Sequence, residues 1–534
     1  MDHRKEAVDV NVDAPPEMTL DASARRHAAV RPDKPAIVCE DRELSFLRLH
    51  QETNRIARKL LSEGVKAGDR IAYLGYESEL LYEVALAGAK AGAVFIPVNW
   101  RLTEPEIDHI LRDSGAVAVF AESAFLAKVT QPGSLLPWLR TVVEIDGPGG
   151  QAPGLRQWLS GSSAADLEAV ADPDDPVIQI YTSGTTGLPK GVVLAHRSFY
   201  TLPLAVGDQG DDWVDWRTSD VSLISLPGFG IAGLSWFLHG FAVGATNVVM
   251  RMWISEEAIR LIEDQAVTIT FVAPTMLRLM LDEPAAKPGA FKSLRKVAYG
   301  AAPITTELLR QSLDAFGCDF AQIYASTETG SVAVCLPPSA HVPGSELLNS
   351  AGKACPGNEL KIISSDGTTL PPSEIGQVCI RTPACMVEYW NNPEATARTL
   401  VDGWLRMGDA GYLDEQGYLF LGDRINDTII AAGQNIYPAE VEKAICGHPA
   451  VTDAGVVGLP HPVWGQAVHA FIALRPGESI TPRQLTLFLR GRLADYKIPT
   501  HWDFVSELPR NPGGKVLRRV LREQATAASE GGPR

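Results

Sequence analysis

The stretch YTSGTTGLPKG, Tyr181 to Gly191, sets four Ser/Thr hydroxyls, three glycines and one lysine within eleven residues. Glycines permit tight turns that bring backbone N–H groups against an anion, and hydroxyls and an ammonium add donors to the same oxygens. The composition suits a cradle for triphosphate oxygens. It is not the P-loop pattern, which needs Gly and Lys adjacent and then Ser or Thr, because Lys190 follows Pro189 and precedes Gly191. The flanking runs VIQIY (Val177 to Tyr181) and VVLAH (Val192 to His196) read as strands.

N-terminal to this loop, from Pro32 onward, the strand candidates PAIVCE, RIAYLG and AVFIPVN alternate with helical stretches such as SFLRLHQETNRIARKLLSEG. That alternation predicts βαβ units and a largely parallel sheet. A loop rich in Gly, Pro, Ser and Asp, roughly 147–176, divides this half from a second α/β layer running from Val177 to about Gly344. From about Leu348 to Phe420 short strands and turns dominate. Val221 to Met250 carries no Asp, Glu, Lys or Arg and is long enough to span a bilayer. Pro227 and the glycines at 228, 230, 233, 240 and 244 break it into a strand end, a turn, a short helix and another strand of a buried core.

At 534 residues the chain exceeds the size of one hydrophobic core, so two or more domains are expected. The apolar share of 45% and charged share of 21% are globular values. A formal charge of −16, with scattered basic residues, argues against nucleic acid or an anionic membrane as partner. Seven cysteines without a CxxC pair suggest reduced, mostly buried thiols and a cytoplasmic protein. Residues 1–18 lack an apolar run and read as a loose tail rather than a signal peptide or anchor, and no transmembrane segment is expected. The oligomeric state is unreadable.

Three later segments complete the pattern: YASTETG (Tyr324 to Gly330), GWLRMGDAGYLDEQGYLFLGDRINDTIIAAGQNIYPAEVE (Gly403 to Glu442) and PRNPGGKVLRR (Pro509 to Arg519). FVAPTM (Phe271 to Met276), YGAAP (Tyr299 to Pro303) and EYWNNPEAT (Glu388 to Thr396) agree with them. In this order and with these separations, over nearly the whole chain, they resemble the adenylate-forming superfamily of acyl-CoA synthetases, luciferases and nonribosomal-peptide adenylation domains. The resemblance implies an α/β fold: a large N-terminal domain, 19–425, of two Rossmann-like α/β layers plus a small β-barrel-like part, and a small mobile α+β C-terminal domain, 426–534. It places the hinge at Asn426. In IYPAEVEKAI, Pro438 suits a first helical turn.

The implied reaction is attack of a carboxylate on the α-phosphorus of ATP, giving an acyl-adenylate and pyrophosphate, followed by transfer to coenzyme A. The alternative acceptors are an amine or a carrier-protein phosphopantetheine. Such chemistry rests on positioning and charge stabilisation. Thr182, Ser183, Gly184, Thr185, Thr186, Gly187 and Lys190 would hold the β and γ phosphates. Thr327 would donate to the α-phosphate, and Glu328 would offer a hard oxygen to Mg²⁺. Tyr324 with Gly300, Ala301 and Ala302 matches the adenine surface, Asp409 and Arg424 the ribose contacts, and Lys515 the cation that touches both carboxylate and α-phosphate. Gly433 would lie along a pantetheine arm. Gly230, Trp236, Phe271, Thr275, Tyr299 and Ala325 are the acyl-pocket candidates. Two departures bear on the acceptor. Gly230 stands where many acyl-CoA synthetases have histidine, and AAGQN (Ala431 to Asn435) stands where SGGEN is usual.

Overall fold

A computed structural model describes residues 18–130, 136–150, 152–167, 171–182, 189–202, 215–302, 304–424, 427, 429–431, 434–436, 438–461, 465–490, 492–493, 495–510 and 516–530. The fold is α/β, with two large sheets, a smaller antiparallel sheet and a C-terminal α+β unit.

The nine-stranded sheet is parallel through its centre, in the order Asp319–Tyr324, Lys296–Gly300, Ile269–Val272, Val221–Ile224, Thr246–Val249 and Pro35–Cys39. All these strands therefore end on one edge. The seven-stranded sheet has a parallel core of Pro176–Thr182, Val94–Val98, Arg70–Leu74, Ala118–Ala121 and Thr141–Glu144. Lys190–Ala195 and then Glu388–Tyr389 add to it antiparallel.

Chain order does not divide the two sheets where the turn-rich segment suggested. Pro35–Cys39 crosses to pair with Thr246–Val249, while the hairpin Pro176–Thr182/Lys190–Ala195 belongs to the seven-stranded sheet. Alternation of strand and helix reports βαβ units but not which sheet each strand joins. The separating segment also holds a short helix, Leu155–Trp158.

The helices follow their local signals. Phe46–Ser62 starts at Ser45, whose hydroxyl accepts from the Arg48 N–H, and buries Phe46, Leu49, Thr53, Ile56 and Leu60 along one face. Ile231–Val243 is apolar on nearly every side and ends at Gly244 in the left-handed region, φ +77°. It lies on Val221–Ile224 and Thr246–Val249. Helix Glu79–Lys90 is shared, packing on Pro35–Cys39 of one sheet and on Arg70–Leu74, Val94–Val98 and Pro176–Thr182 of the other. The two helices meet where Tyr82 stacks on Phe237, with centroids 3.5 Å apart and planes at 13°. Burying a ring of this size contributes about 1.5–3 kcal/mol, so the sheets are joined by a true core.

The smaller antiparallel sheet comprises Glu359–Ile363, Gly376–Arg381, Trp404–Leu413 and Leu400–Val401, with Leu419–Arg424 on Trp404–Leu413. In the C-terminal unit, Val451–His461 and Gly465–Leu474 form a long hairpin extended by His501–Val505 and covered by helices Pro438–Cys446, Pro482–Leu489 and Arg518–Glu530. Pro438 opens its helix as expected. All seven cysteines are free; four are buried, two half-buried, and Cys446 is exposed. Among the described residues no helix is long and apolar enough to cross a membrane.

Candidate active site

Seven of the sequence-predicted residues gather at one edge of the nine-stranded sheet. Gly230 follows Val221–Ile224, Thr275 follows Ile269–Val272, Ala301 and Ala302 follow Lys296–Gly300, and Ala325, Thr327 and Glu328 follow Asp319–Tyr324. These four strands are neighbours and parallel, so the loops leave their carboxyl ends side by side. That edge is where open α/β sheets bind ligands.

Gly300 is dictated by closeness. A Cβ there would lie 2.3 Å from the backbone O of Ile323 and 3.4 Å from the Phe271 ring. Ala301, next in line, is exposed and held at φ +63°, a conformation that costs an alanine about 1–2 kcal/mol. Strain of this kind persists where surrounding structure over-determines it, as at binding surfaces. Next to this turn, the Tyr324 hydroxyl donates to Asp409 Oδ2 at 2.5 Å, joining the adenine candidate to the ribose candidate. Asp409 is paired across the antiparallel sheet with Arg424, whose side chain lies outside the described residues.

YASTETG continues into a single 3-10 turn, Thr327–Thr329, in which Thr327 is buried and Glu328 half-exposed. Gly330 closes the turn at φ +69°, where a Cβ would lie 2.1 Å from Ala384 O. Glu328 is fixed from both ends: its backbone O accepts from the Met386 N–H at 2.9 Å and its Oε1 from the Tyr389 hydroxyl at 2.6 Å. The ammonium of Lys190 stands 5.4 Å from the Tyr389 ring centroid, within cation–π range. Tyr389 thus ties the root of the glycine-rich loop to the carboxylate of YASTETG. Among the described residues the second oxygen of Glu328 has no hydrogen-bond partner and no group of three or more His, Cys, Asp or Glu gathers to hold a metal. A Mg²⁺ here would be held by one carboxylate and by phosphate oxygens, which fits a hard ion that arrives with its nucleotide.

Thr182 and Lys190 are the last pair of the hairpin among the described residues. Ser183, Gly184, Thr185, Thr186 and Gly187 lie outside the described residues, as do Asn426, Gly433 and Lys515. Both strands at the loop's root are braced: His109 Nε2 lies 3.3 Å from Pro189 O, the Tyr181 hydroxyl donates to Asp113 Oδ2 at 2.6 Å, and the Trp390 indole N–H donates to Asp113 O at 2.9 Å. Sequence reasoning passed over Asp113, Tyr389 and Trp390. The last two stand in EYWNNPEAT, so a signal existed, but nothing in one strand says which motif it will meet.

On the acyl side, Trp236 is buried, donates its indole N–H to Ser222 Oγ at 3.0 Å and lies 5.4 Å from the Phe271 ring. Gly230 caps helix Ile231–Val243. Among the described residues a Cβ built there meets only Pro227 O, at 3.7 Å, which leaves room beside it. Thr275 is exposed in the first turn of helix Pro274–Asp282, and Ala325 is half-buried. Tyr299 does not join them, which corrects its placement in the pocket. Side chains alternate across a strand; Phe271 and Ala298 are paired on one face, Val272 and Tyr299 on the other. Tyr299 packs in the far core against Phe320, its hydroxyl 3.0 Å from His341 Nε2.

Comparison with known proteins identifies the family. The chain is 48% identical over 511 residues, 96% of its length and 97% of the relative's, to a fatty acid–[acyl-carrier-protein] ligase of Streptomyces coeruleorubidus. It is 34% identical over 514 residues, 94% and 98% of the two lengths, to a long-chain-fatty-acid–CoA ligase of Mycobacterium tuberculosis. The structure of ATP-bound MatB from Rhodopseudomonas palustris superposes with a TM-score of 0.87 at 28% identity, covering 96% of this chain and 99% of that one. The descriptions "AMP-binding enzyme" over residues 24–390 and "AMP-binding enzyme C-terminal domain" over residues 440–515 match in order, and the chain belongs to this family of adenylate-forming ligases.

Proposed function

We propose that this ATP-dependent ligase activates a fatty or other largely apolar carboxylic acid and passes it to a pantetheine thiol, with a carrier protein as preferred acceptor. The carrying observation is the convergence of Gly230, Thr275, Gly300–Ala302 and Ala325–Glu328 on adjacent strand ends, with Glu328 tied through Tyr389 to Lys190. A carboxylate oxygen attacks the α-phosphorus, the bond to the β-phosphate breaks, and pyrophosphate leaves. The thiol sulfur then attacks the acyl carbon, the C–O bond to AMP breaks, and the thiol proton passes to solvent.

In this reading Tyr324 and Gly300–Ala302 flank adenine, Asp409 and Arg424 take the ribose, and Thr182–Lys190 with Thr327 hold phosphate oxygens. Glu328 would anchor Mg²⁺, whose charge offsets that of the triphosphate. Lys515 neutralises charge at the reacting centre, Asn426 is the pivot, and Gly433 borders the thiol route. Trp236 and Phe271 give the acyl side an apolar wall, which supports an apolar acid. The carrier-protein preference is supported by the higher identity to the carrier-protein ligase than to the CoA ligase, and by the Gly230 and AAGQN departures from the synthetase pattern.

The experiment is an acid panel in ATP–pyrophosphate exchange, then discharge of the adenylate by phosphopantetheinylated carrier protein, coenzyme A or an amine. Fastest discharge by carrier protein is expected. Coenzyme A as sole effective thiol would restore the acceptor expected from sequence, and amide product alone would overturn the thiol reading.

A further inference from the structure

Glu77 has no part in the chemistry above. It lies just beyond the carboxyl end of Arg70–Leu74 in the seven-stranded sheet and is buried. Its Oε2 accepts from the Gly228 N–H at 2.7 Å, and its Oε1 accepts from the Tyr82 hydroxyl. Gly228 belongs to LPGFG, the turn between Val221–Ile224 and helix Ile231–Val243 that ends at Gly230.

The turn is wedged from two sides. A Cβ on Gly228 would lie 2.7 Å from Glu77 Oε1 and 3.0 Å from the Tyr82 hydroxyl. Behind the turn, a Cβ on Gly233 would lie 2.1 Å from Leu226 O and 2.4 Å from Pro227 O. Tyr82 itself is locked by its stack on Phe237 of the helix that the turn begins. Among the described residues no ion pair offsets the charge of Glu77. Its partners are a hydroxyl and a backbone N–H, and burial pushes its carboxyl up to about 7. An unpaired buried carboxyl is an expensive way to hold a turn. A neutral acceptor would satisfy one N–H, whereas two carboxylate oxygens grip the turn and Tyr82 together.

We propose that Glu77 is a positioning residue of the acyl site: reaching across from the other sheet, it fixes the backbone of Pro227–Gly230 and so governs which acids fit beside Gly230. The inference rests on Gly230 facing the substrate, as read above.

The test compares Glu77→Ala, Glu77→Gln, Gly228→Ala and the double variant Glu77→Ala/Gly228→Ala by ATP–pyrophosphate exchange with an acid panel, alongside thermal unfolding. Glu77→Ala is expected to raise the KM for the best acid about tenfold, the scale of one charge-assisted hydrogen bond, to reorder the acid panel, and to leave the KM for ATP within about twofold. Glu77→Gln, whose amide oxygen still accepts from Gly228, should recover most of the acid KM. Gly228→Ala should resemble Glu77→Ala, and the double variant should fall well short of the sum of the two single effects, because the missing side chain removes the closer contact, at 2.7 Å, that the new Cβ would meet. If Glu77→Ala folds poorly, the same KM split is read from Glu77→Gln and Gly228→Ala. Unchanged acid KM and acid order, or equal changes in both KM values without rescue by Gln, overturn the inference. Gly230→His is the companion: a change of acid order there but not at Glu77 refutes the role of Glu77 alone, and no change in either refutes the placement of Gly230 as well.

Discussion

Replacing Gly300 with alanine tests the nucleotide surface with one added methyl. The new Cβ would sit 2.3 Å from Ile323 O, and ordinary contact begins at 3.4 Å, so one strand must yield by about 1 Å. Ile323 cannot yield cheaply, because it is the register partner of Gly300 within the parallel sheet. The Phe271 ring, already at 3.4 Å from that position, closes the second direction. Displacement therefore falls on Gly300–Ala302, the turn proposed to lie against adenine. Overpacking of this kind costs about 1–3 kcal/mol of stability, and a 1 Å misplacement at a reacting site can cost on the order of 100-fold in rate. In ATP–pyrophosphate exchange the KM for ATP should rise about tenfold or more, equivalent to about 1.4 kcal/mol of binding, with the acid KM less affected. Ala301→Gly, which only relaxes a left-handed residue, should leave both constants near wild type. A Gly300→Ala enzyme of lowered stability but unchanged ATP KM would refute the adenine assignment while leaving the packing argument intact.

Glu328→Gln keeps an acceptor for Tyr389 but removes the charge offered to a divalent ion, so the Mg²⁺ concentration for half-maximal exchange should rise at least about tenfold; an unchanged Mg²⁺ titration would contradict the role. Lys515→Ala should abolish adenylate formation and keep acyl transfer from a supplied acyl-adenylate, and wild-type exchange rates in the variant would remove Lys515 from the reacting centre. His239, buried in helix Ile231–Val243 with Nε2 2.9 Å from Ser331 Oγ, is held down to about 4 by burial. A neutral histidine in the fold that takes a proton when unfolded contributes stability present above pH 6.5 and lost as pH falls toward 4. The full loss is roughly 3 kcal/mol, and His239→Gln should flatten the fall in Tm between pH 6.5 and 4, an unchanged slope counting against it.

Strand and helix candidates around the glycine-rich loop were legible because each carries its own signal: PAIVC, RIAYL and VFIPV are apolar runs bounded by breakers, and Ser45 caps the helix that follows it. Sheet membership was not, since Pro35–Cys39 pairs with a strand some two hundred residues away, and long-range pairing leaves no local trace. Motif order picked out Gly300, Thr327, Glu328 and Asp409 as candidates, yet not the contacts that bind them: Tyr389 to Glu328 and Tyr324 to Asp409 join segments that are remote in the chain. Tyr299 was misplaced because a motif names a strand, while the face of each residue follows from register. Glu77 left no signal at all. Its partner is a backbone N–H, which every non-proline residue has, so only the folded turn reveals it.

The most direct measurement of the central claim follows oxygen. With the substrate acid labelled by ¹⁸O in its carboxyl group, and a thiol acceptor completing the turnover, attack of the carboxylate on the α-phosphorus places one labelled oxygen in AMP. The account predicts that label in AMP, with unlabelled pyrophosphate. Label recovered in inorganic phosphate, with ADP as the nucleotide product, would contradict it.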